Sequence, residues 1–184
     1  VLVTTGTHII TATDQDGDAL APGASAGVPV AAGAASRLLV VLPGETHQPG
    51  KFPYDPGGAG LGTVTGGKSG SSNSYTWTAG VPTQVKVLAT DAYWNQVSDT
   101  RLVSLASTDP SPFSVAPTQS LVGGATVFNV ALYTAAAATG TWYNFLAEDQ
   151  SGAKFSPSTY RSTDVLVVPN LANKLRVLTP GLTR

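Results

Sequence analysis

One stretch of alternating residues constrains the fold more than any other part of the sequence. It runs from Ala79 to Val97 and reads AGVPTQVKVLATDAYWNQV. Val85, Val87 and Ala89 fall on one face of an extended chain, and the polar residues between them fall on the other. The alternation stops at the segment from Asp91 to Asn95, where Asp and Asn side chains can hydrogen-bond their own backbone. The pattern therefore predicts a buried strand followed by an Asx-stabilised turn.

The same stretch resembles the second strand of bacterial immunoglobulin-like repeats of the invasin and intimin kind. Those repeats often read AG.P..V.V.ATDA.GN.V, and this sequence follows the pattern except that Trp94 stands where glycine is common. The resemblance implies an immunoglobulin-like β-sandwich in a large secreted surface protein. It implies no ligand, because these modules have a fold in common but no shared chemistry.

The composition favours β-structure and argues against a polyanionic partner. Asp, Glu, Lys and Arg make up 11% of the residues, against about a quarter in ordinary globular proteins. Strong helix formers are few and β-branched residues are many, so we expect strands throughout. A formal net charge of -1 provides no long-range field that would attract nucleic acid or an anionic membrane.

Two residue types are missing from the chain. The absence of Cys excludes a disulfide framework and a thiolate metal site. The absence of Met leads us to expect a processed product or a piece of a longer polypeptide. No segment approaches the roughly 18 uninterrupted apolar residues of a membrane span, so we expect no membrane insertion. Together with the resemblance, the lack of Cys leads us to expect an extracellular location at the cell surface.

Two parts of the chain repeat each other at a spacing of about 135 residues. One set of identities pairs Ala12, Asp14, Gln15, Gly17 and Pro22 with Ala147, Asp149, Gln150, Gly152 and Pro157. A second set, spaced two residues wider, pairs Val28, Val30, Ala35, Val40, Pro43 and Gly44 with Val165, Val167, Ala172, Val177, Pro180 and Gly181. We therefore predict the C-terminal strands of a preceding repeat at 1–34 and a complete repeat at 35–168. Residues 169–184 would form the first strand of a following repeat or a donor strand.

Within the complete repeat, short apolar runs separated by turn signals predict an antiparallel, immunoglobulin-like β-sandwich. The predicted strands are Arg37 to Leu42, Thr83 to Thr90, Thr100 to Ser107, Ala125 to Thr134, Gly140 to Ala147 and Asp164 to Val168, with a doubtful one at Phe113 to Val115. Residues 44–74 interrupt this series with Gly, Pro and almost no aliphatic side chains. We expect them to form a long insertion that is either mobile or ordered by something outside the module.

A cluster of acidic residues is the only candidate metal site. Asp14, Asp16 and Asp18 lie close together around Gly17, and carboxylate oxygens are the ligands that calcium prefers. The spacing lacks the distal bidentate Glu of an EF-hand loop, and the matching turn from Glu148 to Gly152 keeps two acids. A solvated turn between strands is the simpler interpretation. We expect no other cofactor.

Aromatic residues suggest a ligand surface or a contact between modules. Trp77, Tyr93 and Trp94 could present rings to a glycan, as could Phe52 and Tyr54 in the insertion. Rings of this kind also fill sandwich cores and contacts between modules, which is the interpretation we favour. Trp94 is notable because it falls in a predicted turn, where burial is least expected.

No catalytic grouping is apparent. His8 and His47 have no nucleophile and orienting acid nearby in the sequence, and the acids cluster in turns. The segment from Gly62 to Ser69 fits the phosphate-loop pattern, but Gly, Ser and Pro replace the buried strand and helix that such a loop requires. We predict no enzyme activity and no nucleotide binding.

These observations favour a structural role. The leading hypothesis is an immunoglobulin-like module of an extracellular filament, surface layer or adhesin stalk, with other copies or adjacent repeats as partners. Contacts would form in tandem or by strand exchange through sheet edges, involving strands that contain Ile10, Val28, Val30, Leu175 and Val177. The alternative is a carbohydrate-binding accessory module of a secreted enzyme.

Overall fold

The computed structural model describes residues 1–17, 20–54, 66–72, 75–111, 118–135, 142–153, 155 and 159–174. These residues form fifteen strands and no α-helix. The strands are β1 (Gly6–His8), β2 (Thr11–Ala12), β3 (Gly23–Ala24), β4 (Val28–Val30), β5 (Arg37–Val41), β6 (Glu45–His47), β7 (Lys68–Gly70), β8 (Trp77–Thr78), β9 (Thr83–Thr90), β10 (Leu102–Ser107), β11 (Thr118–Ser120), β12 (Ala125–Val130), β13 (Phe145–Asp149), β14 (Thr159–Arg161) and β15 (Val167–Val168). The prediction of an all-β chain is confirmed. The doubtful strand at Phe113 to Val115 lies outside the described residues, as do Asp18, Leu175 and Val177.

Two antiparallel sheets form the body of the structure. One has the strand order β12-β9-β5, and the other has the order β11-β10-β13-β14. Strand β5 contacts β13 and β14 in the opposite sheet. The sheets therefore pack face to face, as the layers of a β-sandwich do.

Strand β9 lies at the centre of its sheet, and one of its faces is apolar from Val85 to Ala89. Val85, Val87 and Ala89 are completely buried in the core between the sheets, while Gln84 and Lys86 are exposed. This alternation confirms the predicted buried strand. Burying such side chains contributes about 1.5 to 3 kcal/mol for each Val, so the core between the sheets dominates stability.

A second, smaller cluster lies on the other face of the same sheet. Leu39, Val41, Leu88 and Trp94 are buried together there, with Tyr54 packed against them. The strands β5 and β9 are therefore covered on both faces at this end, which their continuous apolar runs permit. The cover includes part of the insertion.

Four short pairings complete the fold. Strand β8 runs parallel to β15, and β6 forms an antiparallel pair with β7. Near the N-terminus, β1 pairs with β4 and β2 pairs with β3, both antiparallel. We call the segment from β1 to β4 the N-terminal hairpin, and it lies beside the turn that follows β9.

Candidate functional site

The turn after β9 is closed by the carboxylate of Asp91. Its Oδ1 atom accepts hydrogen bonds from the backbone N–H groups of Tyr93 at 2.8 Å and Asn95 at 2.9 Å. The Asn95 amide nitrogen also donates to Oδ2 of Asp91 at 2.9 Å. The predicted Asx-stabilised turn is confirmed, and both of its defining side chains are buried.

The same two side chains hold the N-terminal segment. Asn95 accepts a hydrogen bond from the backbone N–H of Thr5 at 2.9 Å and donates to the carbonyl oxygen of Val3 at 2.8 Å. Asp91 accepts from the backbone N–H of Gly33 at 2.9 Å. Burial alone would raise the pKa of Asp91, but the hydrogen bonds from Asn95 and Gly33 outweigh it and lower that pKa. One turn therefore binds the chain on both sides of the N-terminal hairpin.

Trp94 is buried in the middle of this turn. It has a φ of 67°, in the left-handed region that favours glycine. Its ring is completely buried, its Nε1 donates to the carbonyl oxygen of Pro53 at 2.8 Å, and the Arg37 guanidinium lies 4.7 Å from the ring centroid. The expectation that Trp94 could present its ring to a ligand or partner is therefore corrected, because the ring is part of the second core cluster. This φ is one that glycine adopts easily, which fits the glycine that is common here in the repeats that the stretch resembles.

The insertion supplies the cover over Trp94. A Cβ atom added to Gly67 would lie 2.5 Å from Cγ of Trp94, and one added to Gly66 would lie 1.7 Å from the Pro53 carbonyl oxygen. The two glycines thus allow the backbone to lie directly on the indole ring. We expected the insertion to be mobile or ordered from outside the module. That expectation is wrong for the parts described, which the module itself orders.

A buried ion pair anchors the paired strands β6 and β7. Lys68 Nζ donates to Glu45 Oε2 at 2.9 Å and to the carbonyl oxygen of Val40 at 3.2 Å. The other Glu45 oxygen accepts from the Thr163 hydroxyl at 2.5 Å. Burial lowers the pKa of Lys68, and the neighbouring Glu45 counteracts this. Lys68 begins a strand, so the segment after it differs from the helix that a phosphate loop requires.

The insertion also contacts the turn after β9. The ring nitrogen Nε2 of His47 lies 2.7 Å from the carbonyl oxygen of Trp94, and the N–H of Gly50 donates to the carbonyl oxygen of Tyr93 at 2.8 Å. Burial lowers the pKa of His47. The Thr4 hydroxyl approaches the Pro49 carbonyl oxygen at 3.5 Å. Turn, insertion and N-terminal segment therefore meet at one place, which we call the junction.

The junction borders a cleft and an aromatic cluster. The cleft has a volume of about 290 Å³ and is lined by Leu2, Val3, Val30, Ala31, Gly33, Ala34, Ser36, Asp91, Ala92, Tyr93 and Asn95. Phe52, Tyr54 and Tyr93 stack edge to face with ring centroids 5.6 Å and 5.2 Å apart. Phe52 and Tyr93 are exposed, whereas Trp77 is buried in the main core. Of the predicted aromatic residues, the structure thus brings these three together and removes Trp77 and Trp94 from the surface.

The N-terminal hairpin has the same register as the hairpin formed by β13 with β14 and the segment after it. His8 pairs with Val28 as Tyr143 pairs with Val165. Two further pairs correspond, since Thr11 opposite Ala24 matches Leu146 opposite Arg161, and Ala12 opposite Gly23 matches Ala147 opposite Tyr160. In each case the residue numbers agree with the spacing of the sequence repeat.

Hydrogen bonds reproduce this correspondence. Ser25 N–H donates to the Ile10 carbonyl oxygen at 2.9 Å, and the Ser25 hydroxyl accepts from Ile10 N–H at 3.0 Å. Ser162 makes the same two bonds with Phe145, at 2.8 Å and 2.9 Å. The two separate segments therefore adopt the same local structure.

The acidic turns correspond as well. Asp14 accepts from the N–H groups of Asp16 at 3.0 Å and Leu20 at 3.2 Å. Asp149 accepts from Ser151 at 2.8 Å and Phe155 at 3.0 Å. Hydrogen bonds from Asp16 lower the pKa of Asp14.

Both Asp14 oxygens therefore accept hydrogen bonds from the backbone of the candidate calcium turn, and Asp18 lies outside the described residues. No group of three or more His, Cys, Asp or Glu side chains that could hold a metal ion occurs within the described ranges.

No protein-family model, curated protein or solved structure matches this chain. Over the part of the chain that the structure covers, we find no helix that is long and apolar enough to cross a membrane. The interpretation of the junction therefore rests on its own geometry.

Proposed function

We propose that this chain is a structural element of an extracellular array of immunoglobulin-like sandwiches, as in a filament, surface layer or adhesin stalk. The two hairpins of identical register carry the proposal. If the N-terminal hairpin comprises the last strands of one repeat and residues 35–168 form the next, the chain contains a junction between neighbouring repeats.

The strand order supports an immunoglobulin-like topology. Strands β5, β9 and β12 occupy the places of A, B and E in one sheet, and β10, β13 and β14 occupy those of C, F and G in the other. Strand β11 lies beside β10, where variable-type domains place C′. This order fits the resemblance to the invasin and intimin repeats.

A structural role requires that neighbouring repeats keep a fixed orientation under load. Asp91 and Asn95 bind the chain before and after the hairpin, and the insertion adds contacts through Thr4. The bonds of Asp91 and Asn95 connect backbone groups on either side of the N-terminal hairpin to a buried turn of the sandwich. The junction is therefore suited to transmit force and not to act as a free hinge.

Single-molecule force spectroscopy tests this function. The chain is held by its two ends, and we expect a resolved force peak when the sandwich opens. Unfolding of residues 37–168 should release on the order of 450 Å of chain. A Val87→Asp variant, which buries an unpaired carboxylate in the core, should lack the peak. Extension of the wild type without any force peak would contradict a load-bearing role.

A carbohydrate-binding module is the second candidate, and one observation favours it. Phe52, Tyr54 and Tyr93 form an aromatic cluster beside the 290 Å³ cleft, and rings of this kind can stack on sugars. A glycan array with wild type and Phe52→Ala decides the matter, because Phe52 is 73% exposed and its loss should leave the fold intact. Binding by wild type that the variant loses would favour this candidate.

A further inference from the structure

The two corresponding hairpins differ in what lies along their outer edge. Strand β13 is paired on both sides, with β14 and with β10. Strands β1 and β2 pair only with β4 and β3 among the strands that the structure describes. Among the described strands, the edge that β10 covers on β13 therefore has no partner on β2, and an uncovered edge can receive another strand.

Exposed apolar side chains stand on the hairpin at positions whose counterparts belong to the main core. Ile10 is 55% exposed, whereas its counterpart Phe145 is 0% exposed. Leu20 is 71% exposed, whereas its counterpart Phe155 is 9% exposed. The hairpin thus presents the residues of a core surface without the layer that would bury them.

Strand β10 shows what the covering strand supplies. It places Val103 opposite Asp149 and Leu105 opposite Ala147. Arg101, which precedes these residues, donates to Asp149 Oδ2 at 2.6 Å, and its guanidinium lies 3.6 Å from the centroid of the Phe155 ring. The strand therefore contributes backbone pairing, apolar side chains and one cation at a fixed place.

The residues that β10 contacts on β13 and in the turn after it have counterparts on the N-terminal hairpin and in the turn after β2. Asp14 has the turn geometry of Asp149, Ala12 stands at the position of Ala147, and Leu20 stands at that of Phe155. An arginine delivered in the same register would lie over Leu20 and reach Asp14. Charge complementarity and the pairing of β10 with β13 in the same chain thus indicate one occupant, a strand like β10.

We propose that the outer edge of the segment from Ile10 to Asp14, which contains β2, is a docking site for a strand equivalent to β10, carrying an arginine two residues before an alternating Val-x-Leu segment and supplied by another repeat of the same kind. This inference rests on the proposed tandem arrangement and names the strand that the hairpin receives. The incoming strand pairs with β2 and places its arginine on Asp14. That arginine also covers Leu20, as Arg101 covers Phe155.

A peptide experiment tests the docking site on the full chain. The probe is a fluorescein-labelled peptide of residues 100–107, TRLVSLAS, titrated with the protein and followed by fluorescence anisotropy. We expect saturable binding, together with slowed amide hydrogen exchange at residues 10–14. Asp14→Asn should weaken binding about tenfold, because a charge-assisted hydrogen bond is lost.

Two matched controls distinguish the site from general attraction between charges. Asp16→Asn removes a charge two residues away, at a position whose counterpart is Ser151, and should weaken binding much less than Asp14→Asn. A peptide with Arg101→Gln should bind wild type and Asp14→Asn protein equally weakly.

Three results would overturn the inference. They are no saturable binding, equal weakening by Asp14→Asn and Asp16→Asn, or exchange changes at residues 145–149 in place of residues 10–14. The last would show that the peptide displaces β10 within the sandwich. A normal force peak combined with any of these would refute the docking site and leave the proposed function standing.

Discussion

Asp14 and Asp149 close equivalent turns in two hairpins of one chain, but of the two only Asp149 is bonded to an arginine among the described contacts. Asp149 is completely buried, whereas the turn around Asp14 lies at the surface. The same local structure therefore occurs once inside a complete sandwich and once without its covering layers. The comparison gives a direct prediction for stability.

Arg101→Ala should destabilise the sandwich by about 2 to 3 kcal/mol, because it leaves the buried Asp149 carboxylate without its charged partner. Urea unfolding followed by tryptophan fluorescence measures the loss. The matched control is Asp14→Asn, whose turn is not part of the core and which should leave the unfolding midpoint unchanged. Equal shifts of the unfolding midpoint by the two substitutions would contradict the claim that Asp149 belongs to the core and Asp14 does not.

The pH dependence of stability follows from the same carboxylate. Burial would raise the pKa of Asp149, but hydrogen bonds from Ser151 and Arg101 outweigh it and lower the pKa below its ordinary value of 3.8. A lowered folded-state pKa stabilises the protein above the unfolded-state value, and this contribution is lost as the pH falls through the folded-state value. We expect the urea midpoint of wild type to decrease steeply below about pH 4. An Asp149→Asn variant, already less stable at neutral pH, should show a shallower slope there, and an identical slope would refute this assignment.

Trp94→Gly should give a more stable protein than Trp94→Ala, although glycine is usually the more destabilising substitution. Both remove a buried indole, which costs about 3 to 5 kcal/mol. Alanine keeps a side chain at a φ of 67°, whereas glycine adopts that angle freely. We expect Trp94→Gly to be more stable than Trp94→Ala by about 1 kcal/mol. Thermal or urea unfolding of the two variants decides, and an alanine variant of equal or greater stability would mean that the turn is not strained.

Glu45→Ala should destabilise the protein by about 3 kcal/mol, because Lys68 would remain buried without its counter-ion. The double variant Glu45→Ala, Lys68→Met removes both charges and should recover much of that loss. A double-mutant cycle in urea measures the coupling. Additive effects of Glu45→Ala and Lys68→Met would show that the pair does not anchor the insertion.

The strand β9 and its turn could be predicted from sequence because both depend on local patterns. Alternation places Val85 and Val87 in the core, and Asp91 is well suited to close a turn. The spacing of the predicted repeat also agrees with the residues that occupy the same places in the two hairpins. These features involve residues that are neighbours in the chain or copies of one another.

The junction and its cover could not be predicted, because they depend on contacts between distant segments. Nothing near Trp94 indicates that Pro53 and Gly67 will enclose it, since the insertion has few aliphatic residues to reveal a buried surface. The adjacent glycines, Gly66 and Gly67, were the available signal, because they permit close backbone approach. Similarly, the spacing between Arg101 and Asp149 gives no hint of their ion pair.

The equal register of the two hairpins carries the proposed function, and NMR spectroscopy of the full chain can measure it. We predict cross-strand contacts between His8 and Val28 and between Thr11 and Ala24, together with slow amide exchange at Ser25, whose N–H donates to Ile10. A register shifted by one residue would turn Ile10 to the opposite face and remove the correspondence with Phe145. That shift, or the absence of cross-strand contacts, would contradict the proposal that this segment belongs to a preceding repeat.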